Sequence, residues 1–322
     1  VSESWKSLAP VRWPAAFGTR FTVFVDVEEE FDWSAPFSSD ARAVTNVAAL
    51  PSADRRLRDL GAIPAWLVDH PVATDPASID ILRMLAAEAG GEIGAQLHPW
   101  VNPPLAEPAS QANSFVGNLP RASEAAKLRV LTQAITDAVR APRVYRAGRY
   151  GIGPASFDLL ATAGYRIDSS MRARFDYRDG GGPDFSAVGP HAFRVGPQGT
   201  LLELPLTSVF TGALRPAGPA LFPAVRGPAT GALARLGLLG RVPLTPEGVP
   251  VGEALEAIRI ALGEGVRVLN FSFHSPSLVP GNTPYVRDAR DLAVFHAWWD
   301  AVLLLLARRN VAAASVEDLL SA

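Results

Sequence analysis

The chain is 322 residues long, with 30 Lys+Arg against 32 Asp+Glu, five His and no Cys. Its folded surface should be roughly 13,000 Å² against about 50,000 Å² unfolded, enough burial for a full core without covalent staples. The missing Cys excludes disulfides, thiolate metal sites and a cysteine nucleophile; a net charge of −2 gives no case for nucleic acid or an anionic membrane; and 48% hydrophobic residues against 19% charged argue against disorder.

Short β-branched or aromatic runs alternate with longer helical patterns, which predicts βα units around a largely parallel sheet. In chain order, strands are expected at Arg20–Val27, Ile63–Val68, Glu92–Leu97, Arg143–Arg146, Tyr165–Asp168, Leu201–Leu204, Val266–Phe273 and Val311–Ser315. Helices are expected over Thr45–Leu60, Ser78–Ala89, Ser123–Val139, Pro154–Ala163, Gly252–Gly263 and Arg287–Arg308, with Gly61, Gly90 and Gly164 just past helix ends. This alternation fits one barrel-like α/β domain over residues 1–322. Thr211–Val251 breaks it. The stretch is dense in Pro and Gly yet holds the mostly apolar Ala232–Leu239, so a packed insertion or lid is expected in place of a polar linker.

The longest apolar run, Ala301–Ala307, falls far short of the roughly 20 residues that span a bilayer. No signal-peptide pattern opens the chain, and the expectation favours the cytoplasm. Only Lys6 and Lys127 are lysines, a bias read as coding preference. Trp298, Trp299 and Leu303–Leu306 suit either barrel packing or a dimer face, so oligomeric state stays open.

The polar residues fall at the carboxyl ends of the predicted strands. Asp26 and Glu28 close the first, His98 follows the third, Arg146 and Arg149 follow the fourth, Asp168 ends the fifth and His274 ends the seventh. In parallel α/β barrels those ends converge on one rim, where active sites are built. Asp26 and Glu28 alternate by two, so both side chains can face one side. The combination suits metal- or base-assisted hydrolysis of a neutral carbonyl centre. A surface acidic cluster with Glu29, Glu30 and Asp32 is the plainer account of the first pair. His70 shares the rim, in either a substrate or a loop role, whereas His191 and His296 read as non-catalytic.

These five segments, in this order, resemble the NodB-homology polysaccharide deacetylases (carbohydrate esterase family four). Asp26-Val27-Glu28 looks like one version of the family's first motif. Glu92-Ile93-Gly94 leading to His98-Pro99, Tyr145-Arg146-Ala147, Asp168-Ser169-Ser170 and Phe271-Ser272-Phe273-His274 match the later ones. The third-strand and fourth-strand phrases look closest to the WalW-type branch, and the resemblance covers about residues 20–280. It implies a distorted (β/α)7 barrel, TIM-barrel-like, that removes N-acetyl groups from glycans with a divalent metal, usually zinc. Carried over by position, Asp26 is the general base, Glu28 and His98 hold the metal, and His274 protonates the leaving amine. Arg146 orients Asp26, and Asp168 holds a cation or the His274 ring. Trp33, Trp100 and Tyr150 near the rim suit stacking on sugar rings, with Gln96 and Arg149 beside them. The chain departs from the family in one respect: Gln96 or Asn102, depending on register, stands where a second histidine is expected, and amide oxygen is a poor zinc ligand beside imidazole. Two alternatives follow: a metal-independent C–N hydrolase like the cofactor-free allantoinase branch, or a non-catalytic carbohydrate-binding barrel.

Overall fold

The computed structural model describes residues 8–225 and 228–322; Arg226 and Gly227, inside the predicted insertion, lie outside the described residues. The strands are β1 (Arg20–Val27), β2 (Pro64–Val68), β3 (Glu92–Leu97), β4 (Val144–Ala147), β5 (Ile167–Asp168), β6 (Phe193–Val195), β7 (Leu201–Glu203), β8 (Ser208–Thr211), β9 (Gly240–Pro243), β10 (Val268–His274) and β11 (Ala312–Ala313). The helices are α1 (Leu50–Asp59), α2 (His70–Thr74), α3 (Pro76–Ala87), α4 (Arg121–Ala138), α5 (Ser156–Thr162), α6 (Gly218–Leu221), α7 (Pro228–Arg235), α8 (Val251–Gly263), α9 (Ala289–Arg308) and α10 (Val316–Ser321).

One sheet runs β10-β1-β2-β3-β4-β5-β7-β6, parallel throughout except for β6, which pairs antiparallel to β7, and β11 adds to β1. It curls into a half-barrel wrapped by helices, a distorted (β/α) barrel. The gap between β7 and β10 is spanned by loop backbone: Thr207 N donates to Asn270 O at 3.1 Å and Ser272 N to Leu244 O at 3.3 Å. The accessible surface of 13549 Å² matches the expectation from chain length.

Side-chain alternation sets the two faces. Phe24, Ala65, Leu67, Val144, Ile167, Leu202, Leu204 and Val268 form one buried cluster inside the curl. Their neighbours in sequence, including Val25, Trp66, Tyr145 and Leu269, pack outward against the helices. On β1 the even positions point inward, so Asp26 and Glu28 follow Phe24 onto the inner face. The same parity turns Gln96, His98, Arg146, Ser272 and His274 inward.

Trp298 and Trp299 are buried in α9, with Trp299 centred 6.0 Å from Phe271 and 5.6 Å from Phe273. They are barrel packing, not a dimer face. The segment from Thr211 to Val251 is framed by β8 and β9, which pair antiparallel, with α6 and α7 between them. Sequence periodicity missed this pair and β6, because three- or four-residue strands among Pro and Gly leave too few alternations to detect. Among the described residues, no helix is long and apolar enough to cross a membrane.

Candidate active site

The carboxyl ends of the strands open into a cavity of about 480 Å³. Asp26, Glu28, Gln96, His98, Arg146 and His274 line it, as do Trp33, Trp100, Arg149 and Tyr150. Side chains from β1, β3, β4 and β10 therefore meet in one hollow. Asp168 and Asn102 are not in the lining, nor are His70, His191 and His296.

Asp26 stands between two cations. Arg146 Nη1 donates to its Oδ1 at 2.7 Å, and His274 Nε2 lies 3.7 Å from its Oδ2. Arg146 is itself fixed, donating to Ser272 Oγ at 2.6 Å and to the Ser169 carbonyl and hydroxyl at 2.9 Å each. Burial disfavours the guanidinium charge, but Asp26 more than restores it and the pKa rises. One Asp26 oxygen is thus occupied and the other faces the histidine.

His274 is oriented by a residue that the sequence reading did not single out. Glu247 Oε2 bonds His274 Nδ1 at 2.6 Å, while Glu247 Oε1 accepts from the His274 backbone at 3.0 Å and from Ser277 Oγ at 2.6 Å. Burial alone would lower the His274 pKa; the charges of Glu247, Glu28 and Asp26 overcome it and raise the ring to about 10. Glu247 remains ionised, because His274 and these hydrogen bonds outweigh its own burial. A signal existed in the sequence: Glu247 is the sole acidic residue between Glu203 and Glu253.

Asp168 was expected to hold a cation or the His274 ring; among the described residues it forms no ion pair and no bond to His274, although its charge still supports the Arg146 guanidinium. Ile167 points into the curl, so Asp168, one residue on, points outward. There it sits in register with Glu203 of β7 and accepts a hydrogen bond from Ser170 Oγ. Burial raises Asp168 to about 6 and pushes Glu203 well above the usual carboxylate range.

In the same cavity, His98 Nδ1 bonds Glu29 Oε2 at 2.8 Å, leaving Nε2 3.5 Å from Glu28 Oε2. Burial lowers the His98 pKa, so the ring is neutral, with Nδ1–H donated to Glu29 and the Nε2 lone pair turned toward Glu28. Trp100 stacks on His98 with centroids 4.3 Å apart and donates Nε1 to Glu29 Oε1 at 2.7 Å. Its ring buttresses the histidine. Gly148 makes the close approach possible, since a Cβ there would meet His98 Cδ2 at 2.3 Å. Glu29, Asp69 and His98 present ligand atoms within 4.8 Å of one another. All four carboxylate oxygens of that trio are already bound, however: those of Glu29 by His98 and Trp100, those of Asp69 by Glu29 N at 2.7 Å and Val72 N at 2.9 Å. Burial pushes Glu29 up to about 8 and raises Asp69 well above its ordinary value, the Glu29 charge adding to the effect on Asp69.

A cation has better donors one step inward. Among the described residues, Glu28 Oε1 and Gln96 Oε1 are buried without hydrogen-bond partners, and His98 Nε2 lies 3.5 Å from the other Glu28 oxygen, Oε2. Carboxylate, imidazole and amide oxygen together fit a divalent metal, with Glu29 as the carboxylate that fixes the histidine tautomer. Gln96 Nε2 donates to Glu28 Oε2 at 3.1 Å, so Gln96 is the amide at the site. Asn102 instead donates to Pro103 O at 2.7 Å and Lys127 O at 3.0 Å.

No family model and no curated protein matches the sequence. Solved structures do. A protein assigned as a polysaccharide deacetylase from Mycobacterium smegmatis aligns at TM-score 0.50 and 18% identity, over 97% of this chain and 92% of that one. One assigned as a glycoside hydrolase/deacetylase from Parabacteroides distasonis gives 0.56 at 11% identity, over 91% and 68%. A 4-alpha-glucanotransferase from Thermococcus litoralis gives 0.53 at 9% identity, over 94% of this chain and 40% of that one. The fold is therefore the one that the NodB-homology resemblance implied, shared by deacetylases and by enzymes acting on glucans.

Proposed function

We propose that this chain is a hydrolase that removes N-acetyl groups from a polysaccharide or glycan precursor, as one barrel domain related to the WalW-type branch. The observation that carries the reading is Asp26 held between Arg146 and His274, with Glu28 and His98 facing the same cavity. Arg146 occupies Oδ1, so Asp26 Oδ2 takes the proton as a water oxygen bonds the acetyl carbon. The carbonyl electron pair moves onto its oxygen; when it returns, the C–N bond breaks and His274 Nε2 protonates the departing amine. Glu247 keeps that ring oriented and charged. Acid–base steps of this kind contribute about 10²–10⁴-fold each. A divalent metal, zinc by its preference for imidazole, held by Glu28 and His98 with Gln96 beside them, would supply Lewis-acid polarisation of the carbonyl. Trp33, edge-on to His274 at 5.2 Å, suits a sugar-stacking role.

The test is acetate release from N-acetylated oligosaccharides with and without added Zn²⁺ or Co²⁺. Turnover that disappears in Asp26→Asn is expected; folded protein that releases no acetate with any metal removes the reading. A second reading, metal-independent C–N hydrolysis, draws on the Gln96 amide that already donates to Glu28. It expects full activity in chelator.

A further inference from the structure

The proposed reaction uses one wall of the cavity, and arginines that it leaves idle build another. Arg149 follows β4 and Arg172 follows β5, and both line the cavity with Asp26 and His274. The Arg172 guanidinium lies 3.8 Å over Phe175 and 5.8 Å from the Tyr150 ring, which Arg146 approaches at the same 5.8 Å. It is therefore one aromatic ring away from the arginine that holds Asp26. Arg149 lies over Phe115 at 4.2 Å and Phe37 at 4.9 Å, and donates to Ser114. Arg149 and Tyr150 take successive left-handed φ values of 57° and 56°, a strained turn that places the guanidinium in the cavity.

Among the described residues, no carboxylate forms an ion pair with Arg149 or Arg172, whereas the buried Arg146 has Asp26. Arg172 Nε is buried without a hydrogen-bond partner. Arg241 adds to the positive field: it shares the Phe175 ring at 3.6 Å, and burial together with Arg172 pushes it down to about 10. Aromatic faces offset part of the cost of these charges but accept no in-plane hydrogen bonds. What a guanidinium fork matches is a carboxylate or a phosphate.

We propose that the substrate is an acidic sugar, whose carboxylate or phosphate seats on Arg172 and Arg149 while its N-acetyl group faces Asp26 and His274. The placement of the acetyl group rests on the deacetylase reading; the anion site does not. The test is calorimetric titration of Asp26→Asn at low salt with three probes. These are a neutral N-acetylglucosamine tetrasaccharide, a tetrasaccharide alternating glucuronic acid with N-acetylglucosamine, and N-acetylglucosamine phosphate. One acidic probe should bind at least about tenfold more tightly than the neutral one, a ratio within reach of one charge-assisted hydrogen bond, and its identity tells carboxylate from phosphate. Adding Arg172→Gln should abolish the preference and Arg172→Lys should keep part of it; if Arg172→Gln does not fold, Arg149→Gln takes its place. Equal binding of all three probes, or a preference that survives both Arg172→Gln and Arg149→Gln, overturns the proposal. Preference for an acidic probe without acetate release from any probe by the unaltered chain would sink the deacetylase reading and leave the anion site standing.

Discussion

At the scale of single residues, the site turns on which proton sits where. His274 holds its proton at neutral pH because Glu247, Glu28 and Asp26 surround it. Glu247→Gln removes the largest of those raising influences, so the ring's pKa falls from about 10 toward its ordinary value. The alkaline limb of the kcat/KM profile, which needs the protonated ring, should move to lower pH, with kcat down by about 10²-fold. A pH–rate profile of the variant checks this, and an unmoved limb would show that His274 is not the acid. Asp26, Glu28, His98 and His274 were legible in sequence because each ends an apolar run at the inward parity. Asp168 misled because it too ends a strand, but at the outward parity of a strand only two residues long. The isolation of Glu247 among acids marks it in the sequence, but the roles of Glu247 and Glu29 were illegible because their partners, His274 and His98, lie 27 and 69 residues away.

At the scale of elements, the loop that carries His98 is anchored by a residue that composition alone had passed over. Lys127 on α4 is buried, and its Nζ donates to Pro99 O at 3.0 Å, Asn102 O at 2.9 Å and Pro104 O at 2.5 Å. One ammonium thus satisfies three carbonyls of the turn after β3. Lys127→Met preserves the stem's packing and strands the two buried carbonyls, Pro99 O and Asn102 O, each at a cost of about 1–3 kcal/mol. Urea denaturation should show a loss of roughly 2 kcal/mol or more; a loss below about 1 kcal/mol would mean that the loop stands without its anchor. The helix and strand positions were largely legible, since eight-residue β1 and twenty-residue α9 carry many periods of their pattern. β6, β8 and β9 were not, because their pairing and not their periodicity makes them strands.

For the whole molecule, buried acids set the pH response. Burial raises Glu28 to about 7, Glu29 to about 8, Glu124 to about 7 and Asp168 to about 6. Each binds its proton more tightly folded than unfolded, so its contribution is complete below the unfolded pKa and is lost as pH rises through the folded one. His98, lowered by burial, acts in the opposite sense, costing stability only as pH falls below its ordinary value. The urea midpoint should therefore drop between about pH 5.5 and about pH 8.5, and drop less in Glu29→Gln. A midpoint that is flat across that range would contradict the raised pKa of Glu29.

The sequence by itself determined the alternation of strand and helix and the inward parity at the strand ends, because both are local periodicities of a few residues. It also carried the order of the five polar segments. Only the tertiary structure decided which inward groups touch: that Glu247 and not Asp168 orients His274, that Gln96 and not Asn102 reaches the cavity, and that two arginines stand there with no ion-paired carboxylate among the described residues. Those pairings are made by the curl of the sheet, which brings distant segments to one rim and leaves no local trace along the chain.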